Sequence, residues 1–379
     1  MRNSTQLSVL GAAVLGLLLA AAPASPAQPP LGLPPVPVPK DNPLTPDKVK
    51  LGERLFKDAR FSATGKVSCS TCHEPAKVFT DSPRRTSQGI NGLTGTRNAP
   101  TVVNAAYMPA QFWDGREPDL ESQSKQPFVN PVEMGLRSHA PILAVIRKDR
   151  RYRTAFRQVF GTAPDAITID HVARAIAAFE RTEVAGDSPF DRWYFGGDDD
   201  AVSAAAKRGF EVFRDKGRCV SCHQVSQNFA LFMDGRFHNL NVSFDKISKT
   251  VGTLTASYRG HRAQGQKVDT LVLANIDLSE LGRYAVTGLS TNIGAFKTPT
   301  LRNVARTAPY MHDGSLSTLK DVVEFYNNGG RVRPNDPINA FQSGGIRPLH
   351  LSDDEKADLV AFLDSLTSPQ FAQATKGTR

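Results

Sequence analysis

Apolar residues along this chain recur mostly at helical spacing, and runs alternating with the period of a strand are scarce. Over residues 169–182, Val172, Ile176 and Phe179 share one face, which predicts an amphipathic helix. Ser352 with Glu355 forms a capping-box pattern, predicting a helix that runs through Leu366 with Leu359, Val360, Leu363 and Leu366 facing inward. Thr318 and Asp321 predict a second helix start of the same kind, which Asn327-Asn328-Gly329-Gly330 closes. Thr45 reads as an N-cap with Pro46 at the first helical position. The fold class is mainly α, with long loops.

The pattern repeats. Gly52-Glu53-Arg54-Leu55-Phe56-Lys57-Asp58 returns as Gly209-Phe210-Glu211-Val212-Phe213-Arg214-Asp215, each with Phe four residues after Gly and then a base and Asp. Duplicated domains are the simplest account, over residues 45–200 and 201–368, with the boundary near Gly196-Gly197-Asp198-Asp199-Asp200. Residues 369–379 read as a flexible tail. Residues 28–44 form a proline-rich lead-in that reads as extended and mobile. Before it, Arg2, an apolar stretch over 7–22 and A-x-A-like sites near Ala24 or Ala27 read as a secretory signal peptide over 1–27. An uncleaved anchor is the alternative, but the apolar stretch is short for a membrane span. No cysteine lies near the cleavage site to carry a lipid, so no stable membrane anchor is expected.

Composition changes this picture little. A hydrophobic content of 40% supplies packed cores, while 26 prolines and 29 glycines imply many turns. The net charge of +9 reads as ordinary solvation, with guidance of an acidic redox partner as the alternative. No nucleic-acid motif accompanies it, so no nucleic-acid partner is expected.

The chemistry sits in the four cysteines. All of them fall in Cys69-Ser70-Thr71-Cys72-His73 and Cys219-Val220-Ser221-Cys222-His223, two copies of the C-x-x-C-H signature of covalent c-type haem. In that signature two thiols bond to the porphyrin edge and the adjacent histidine reaches the iron. A four-thiolate zinc site usually spaces its pairs ~15–20 residues apart, far closer than these. A dithiol redox motif needs no histidine after its second cysteine, and structural disulfides fit two identical C-x-x-C-H runs poorly. Two haems on one chain suggest electrons passing between them, and covalent attachment suits the bacterial periplasm.

Three further runs bring a family into view: Phe112-Trp113-Asp114-Gly115-Arg116, Phe296-Lys297-Thr298-Pro299-Thr300-Leu301-Arg302-Asn303 and Pro309-Tyr310-Met311-His312-Asp313-Gly314. With both haem motifs in order, the chain resembles the bacterial dihaem cytochrome c peroxidases and their MauG-like relatives over nearly its whole mature length. The resemblance implies two cytochrome c-like haem domains, a peroxide-reacting N-terminal haem and a C-terminal haem that accepts electrons. It implies Glu133, Gln123 and Pro127 over the open haem, with Glu133 as the acid-base residue; without it, Glu133 is one of 37 acidic residues. It makes Trp113 an electron relay, where position alone suggests a core aromatic. It matches Asn98, Thr307 and Pro309 to an interhaem calcium site, although no acidic cluster independently signals calcium.

Two departures stand out. The usual peroxidases carry a distal histidine between the first haem motif and the Phe-Trp-Asp-Gly run, but no histidine lies between His73 and His139 here. The first haem is therefore expected to be held by His73 alone, open without reductive activation. Where typical members supply a methionine to the second haem, this chain has Tyr326, as MauG-like proteins do. The alternative is that Tyr326 packs while Met311 or His312 binds; the resemblance favours Tyr326, with His312 holding a hydrogen bond behind the site. The implied function is a periplasmic peroxidase that reduces hydrogen peroxide with electrons from a cytochrome c or cupredoxin. The alternatives are a MauG-like enzyme that uses high-valent iron chemistry to oxidise residues of a partner protein, and a non-enzymatic electron carrier. A homodimer is compatible with either enzyme.

Overall fold

In a computed structural model of the chain, which describes residues 28–336 and 339–372, each half is built on a crossing of two helices. In the first half Pro46–Phe56 packs on Ile169–Glu180; in the second, Ala204–Arg214 packs on Asp353–Asp364. All four start at side-chain caps. Thr45 accepts from the Lys48 amide, Ser203 from the Ala206 amide, and Thr168 and Ser352 form full capping boxes with His171 and Glu355. The repeated glycines explain the crossings. A Cβ on Gly52 would lie 1.9 Å from the Ala175 carbonyl oxygen, and one on Gly209 would lie 1.9 Å from that of Asp358. Only a residue without a side chain lets the backbones approach so closely.

Around each crossing lies a separate apolar core. The first contains Leu51, Leu55, Phe56, Val172, Ile176 and Phe179; the second contains Phe210, Phe213, Leu359, Leu363 and Leu366. The predicted inward face of the last long helix needs one addition. Val360 packs half-buried against the core as expected, and Phe362 joins it fully buried, where such a side chain is worth about 1.5–3 kcal/mol. Leu366 is buried but lies beyond the helix end at Asp364. Phe190, ahead of the glycine-rich stretch 196–200, already belongs to the second core, so the apolar partition precedes the expected boundary.

Among the described residues, apart from isolated bridges, strand is confined to a two-residue pair, Phe237–His238 against Phe296–Lys297. Between these strands the second half inserts a lobe of short helices, including Val251–Ala263, Val268–Ala274 and Ile276–Ser279, with its own core around Phe244, Ile247, Val272 and Leu281. The lobe leans on the first half: Thr96 donates to the Val272 carbonyl at 2.7 Å, and Arg97 donates to the Ser279 hydroxyl at 2.7 Å.

The lead-in differs from its expected mobility. The Gly32 carbonyl accepts from the Ala230 amide at 3.0 Å and from Arg302 at 2.6 Å, Leu33 is buried, and Tyr107 donates to the Pro34 carbonyl. Proline removes amide donors but leaves carbonyls, and here those carbonyls tie the segment across both halves. The start of the expected flexible tail is also ordered: Pro369–Ala372 forms a helical turn, and Phe371 packs against the first core. The expected signal peptide and the tail over 373–379 lie outside the described residues. Among the described residues no helix is long and apolar enough to cross a membrane.

Candidate dihaem site

His73 and His223 have the same local surroundings. Nδ1 of His73 lies 3.1 Å from the Phe79 carbonyl oxygen, and Nδ1 of His223 lies 2.8 Å from that of Phe232. With Nδ1 donating, each ring presents a bare Nε2, the form that binds a metal. Burial holds both imidazoles below the ordinary histidine range, which keeps them neutral. Phe79 and Phe232 reach this geometry at φ 54° and 53°, a left-handed conformation uncommon for phenylalanine.

The cysteines are unpaired, and the two C-x-x-C runs sit in different cores, which rules out both disulfides and a shared four-thiolate zinc site. Burial pushes the Cys72 and Cys219 thiols up to about 12. Cys219, Cys222 and His223 line a cavity of about 590 Å³. An apolar, half-open space of that size, with two thiols and a free imidazole nitrogen on its wall, fits a covalently held haem. Tyr326 lines the same cavity, and its hydroxyl has no hydrogen-bond partner among the described residues. Burial pushes its phenol up. Met311 also lines the cavity. His312 is occupied elsewhere: Nε2 lies 2.9 Å from a Glu280 carboxylate oxygen, and the ring stacks on Phe296 with centroids 3.6 Å apart.

The two halves match beyond the helices. Thr101 and Thr300 both donate to a carbonyl just before the residue that partners the histidine, Val78 at 2.5 Å and Leu231 at 2.8 Å. Phe112 and Met311 both adopt positive φ, and each is followed by an Asp-Gly turn whose aspartate accepts the amide two residues on. Trp113 is thereby the counterpart of His312. Asp119 and Thr318 cap the next helical segments, Leu120–Gln123 and Leu319–Asn327. Counting from those caps, Gln123 corresponds to Val322 and Pro127 to Tyr326, and both second-half residues line the cavity. The match shows another difference: Glu180 of the first half replaces Leu363, which lines the second cavity. Glu180 is buried, and burial pushes its carboxyl up to about 8.

The chain from Pro127 to Leu136 folds back on itself. The Met134 amide donates to the Pro127 carbonyl at 3.2 Å, and the Asn130 side-chain oxygen accepts from the Val132 amide at 2.9 Å. This brings Glu133 back toward Pro127. Oε2 of Glu133 is buried and unpartnered, and burial, then the charge of Asp269, push the carboxyl up to about 8 against the pull of Arg116. Gln123 makes no side-chain hydrogen bond among the described residues. His139, the first histidine after the haem motif, has Nε2 2.9 Å from the Lys125 carbonyl oxygen.

A di-haem cytochrome c peroxidase family model matches residues 46–200. Over 331 residues the chain is 37% identical to the methylamine utilization protein MauG of Methylorubrum extorquens, covering 87% of this chain and 81% of that protein. It is 39% identical to the cytochrome-c peroxidase IdrP1 of Denitromonas iodatirespirans over 343 residues, 89% of this chain and 86% of the relative. The chain belongs to the dihaem cytochrome c peroxidase and MauG family. A crystal structure of a MauG-like protein associated with microbial copper homeostasis superposes with a TM-score of 0.72 at 32% identity, covering 90% of this chain and 97% of that one. The mainly helical fold with two cytochrome c-like haem domains, the two c-type haems and the dihaem peroxidase class follow from this membership.

Trp113 lines the cavity beside the second haem motif and donates Nε1 to the Asn98 carbonyl at 2.9 Å. Asn98, Thr307 and Pro309 line it too. The Asn98 side-chain oxygen and the Thr307 and Pro309 carbonyls accept no hydrogen bond among the described residues, leaving hard oxygen donors that fit calcium. Sequence reasoning missed Lys297, whose buried ammonium donates to the Ala110 carbonyl at 2.7 Å; burial pulls it down to about 7. It also missed Asp269, which carries no motif and meets Arg116 from 153 residues away.

Proposed function

We propose that this dihaem enzyme works in the periplasm, reducing hydrogen peroxide at the first haem with electrons that a small cytochrome c or cupredoxin delivers to the second. The half-buried Glu133 carboxyl, with Oε2 buried and unpartnered, carries this reading. Splitting peroxide requires a proton to leave one oxygen and arrive at the other. A single carboxyl whose proton affinity is close to neutral performs both transfers, a role generally worth ~10²–10⁴-fold. Bound haems, held by Cys69, Cys72 and His73 and by Cys219, Cys222 and His223, would pass on the donor's two electrons, so that peroxide, two electrons and two protons give two waters.

The other residues divide the remaining tasks. The free Gln123 amide orients peroxide by hydrogen bonding, and Pro127 contributes an apolar wall without an amide donor. The tether of His139 to Lys125 supports a first site with no second protein ligand. Tyr326, at the position matching Pro127, closes the second site. Trp113 relays electrons between them, and Asn98, Thr307 and Pro309 hold calcium beside that route. A pure electron carrier has no use for Glu133 and Gln123 beside an open site.

Loading both haems and mixing with peroxide tests the reading. Glu133→Gln should slow the peroxide reaction by ~10²-fold or more while leaving both haem spectra in place. An unchanged rate removes Glu133 from the mechanism. Steady turnover of a reduced cytochrome c or cupredoxin is expected. A second reading, oxidation of residues in a partner protein, is favoured by Tyr326 and by the lack of a histidine between His73 and His139; it is supported if a precursor protein is oxidised and the small donors are not.

A further inference from the structure

Asp269 lies in the first turn of Val268–Ala274, inside the lobe inserted in the second half, yet its side chain is spent on the first half. One carboxylate oxygen accepts from Arg116 twice, at 2.9 and 2.6 Å. The other accepts from the Asn130 side-chain amide. Asn130 is 1% exposed and organises the loop of Glu133: its side-chain oxygen holds the Val132 amide, and its carbonyl accepts from Glu133 at 3.3 Å and Gly135 at 2.8 Å. Arg116 is fixed on three sides, by Asp269, by Asp114 at 3.0 Å, and by the Phe112 ring with its centroid 3.5 Å away.

We propose that Asp269 is a positioning residue of the peroxide site, reaching across from the second half to hold the Glu133 loop and to set a fixed negative charge against its carboxyl. The inference rests on the assignment of Glu133 above. The charged groups that act on Glu133 are Asp269 from the lobe and Arg116 from the Phe-Trp-Asp-Gly-Arg run. Cys69 and Cys72 also interact with it, but as haem thioethers they carry no charge. Asp114 and Arg97 stand behind Arg116, 3.3 Å apart. Asp269 therefore acts in two ways with one sign. Its own charge disfavours the Glu133 carboxylate, and its pairing with Arg116 offsets a cation that would favour it.

The sign fixes the test. To take a proton from neutral peroxide, Glu133 must be ionised, so the rate of the peroxide reaction should rise with pH through its pKa. In the dihaem-loaded protein, stopped-flow rates with hydrogen peroxide across the pH range define this limb, and Glu133→Gln should abolish it. Asp269→Asn keeps an oxygen for Arg116 but removes the charge, and should move the limb to lower pH by about one unit or more. Asp269→Glu restores the charge and should return the limb toward its original position.

A limb that stays in place in Asp269→Asn overturns the proposal while leaving Glu133 intact. Equal shifts in the Asn and Glu variants also overturn it, because packing alone would then account for both. A limb that survives Glu133→Gln overturns the underlying assignment together with the inference.

Discussion

Tyr326 and Pro127 occupy matching positions in the two halves, eight residues after the caps Thr318 and Asp119, and their chemistry differs. A phenol can bind iron once it gives up its proton, whereas proline offers neither a donor nor a ligand. Burial raises the Tyr326 phenol, so in the protein without haem this side chain remains neutral and its hydroxyl faces the cavity. In the loaded protein, Tyr326→Phe should convert the ferric low-spin signal of the second haem to high spin, leaving the first haem's signal unchanged. Retention of the low-spin signal would assign the ligand elsewhere, with Met311 next in line because it shares the cavity wall. At this scale the C-x-x-C-H runs were fully legible in the sequence, since every participating atom lies within five consecutive residues. Asp269 was illegible because its partners Arg116 and Asn130 come from the other half of the chain.

Among elements, the crossed helices carry the repeat. Gly52 and Gly209 hold equivalent positions, and each meets both a carbonyl and the Cβ of a phenylalanine, Phe179 or Phe362, on the helix it crosses. Gly209→Ala should destabilise the second half by about 1–3 kcal/mol, because its methyl would enter a backbone oxygen's space and the helices must separate. Gly52→Ala should do the same in the first half. A denaturation midpoint unchanged in both variants would show that the helices reseat without cost. Caps and apolar periodicity placed the helix starts at Pro46, Ile169, Leu319 and Asp353 correctly, because both are local properties. The inward face of the last helix lacked Phe362 in the sequence reading, because the axis of the crossing chooses among neighbouring apolar positions.

For the whole molecule, Arg302 joins the pieces. Its guanidinium is 1% exposed and pairs with Asp191, itself 0% exposed, at 2.8 and 2.9 Å. It also donates to the Ala230 and Gly32 carbonyls, tying the lead-in to the second half. Arg302→Met should cost about 3–5 kcal/mol, since Asp191 would be left as an uncompensated buried charge. Urea denaturation measures this, and a loss below about 1 kcal/mol would mean that Asp191 finds another partner or takes up a proton. The inserted lobe makes a second junction through Asp269, so the proposed peroxide site is completed by both halves.

By itself, the sequence determined the two haems, the repeat and the helical class, because thiol spacing, capping and periodicity are written in neighbouring residues. It also gave the ground for expecting two unequal sites, through Tyr326 and the lack of a histidine between His73 and His139. Only the tertiary structure decided what surrounds Glu133, that the proline-rich lead-in is a strap, and which residue supplies the charge across the halves. Those outcomes depend on burial and on contacts between residues far apart in the chain, where removal from water turns an ordinary carboxylate into one whose proton is held or released by its neighbours.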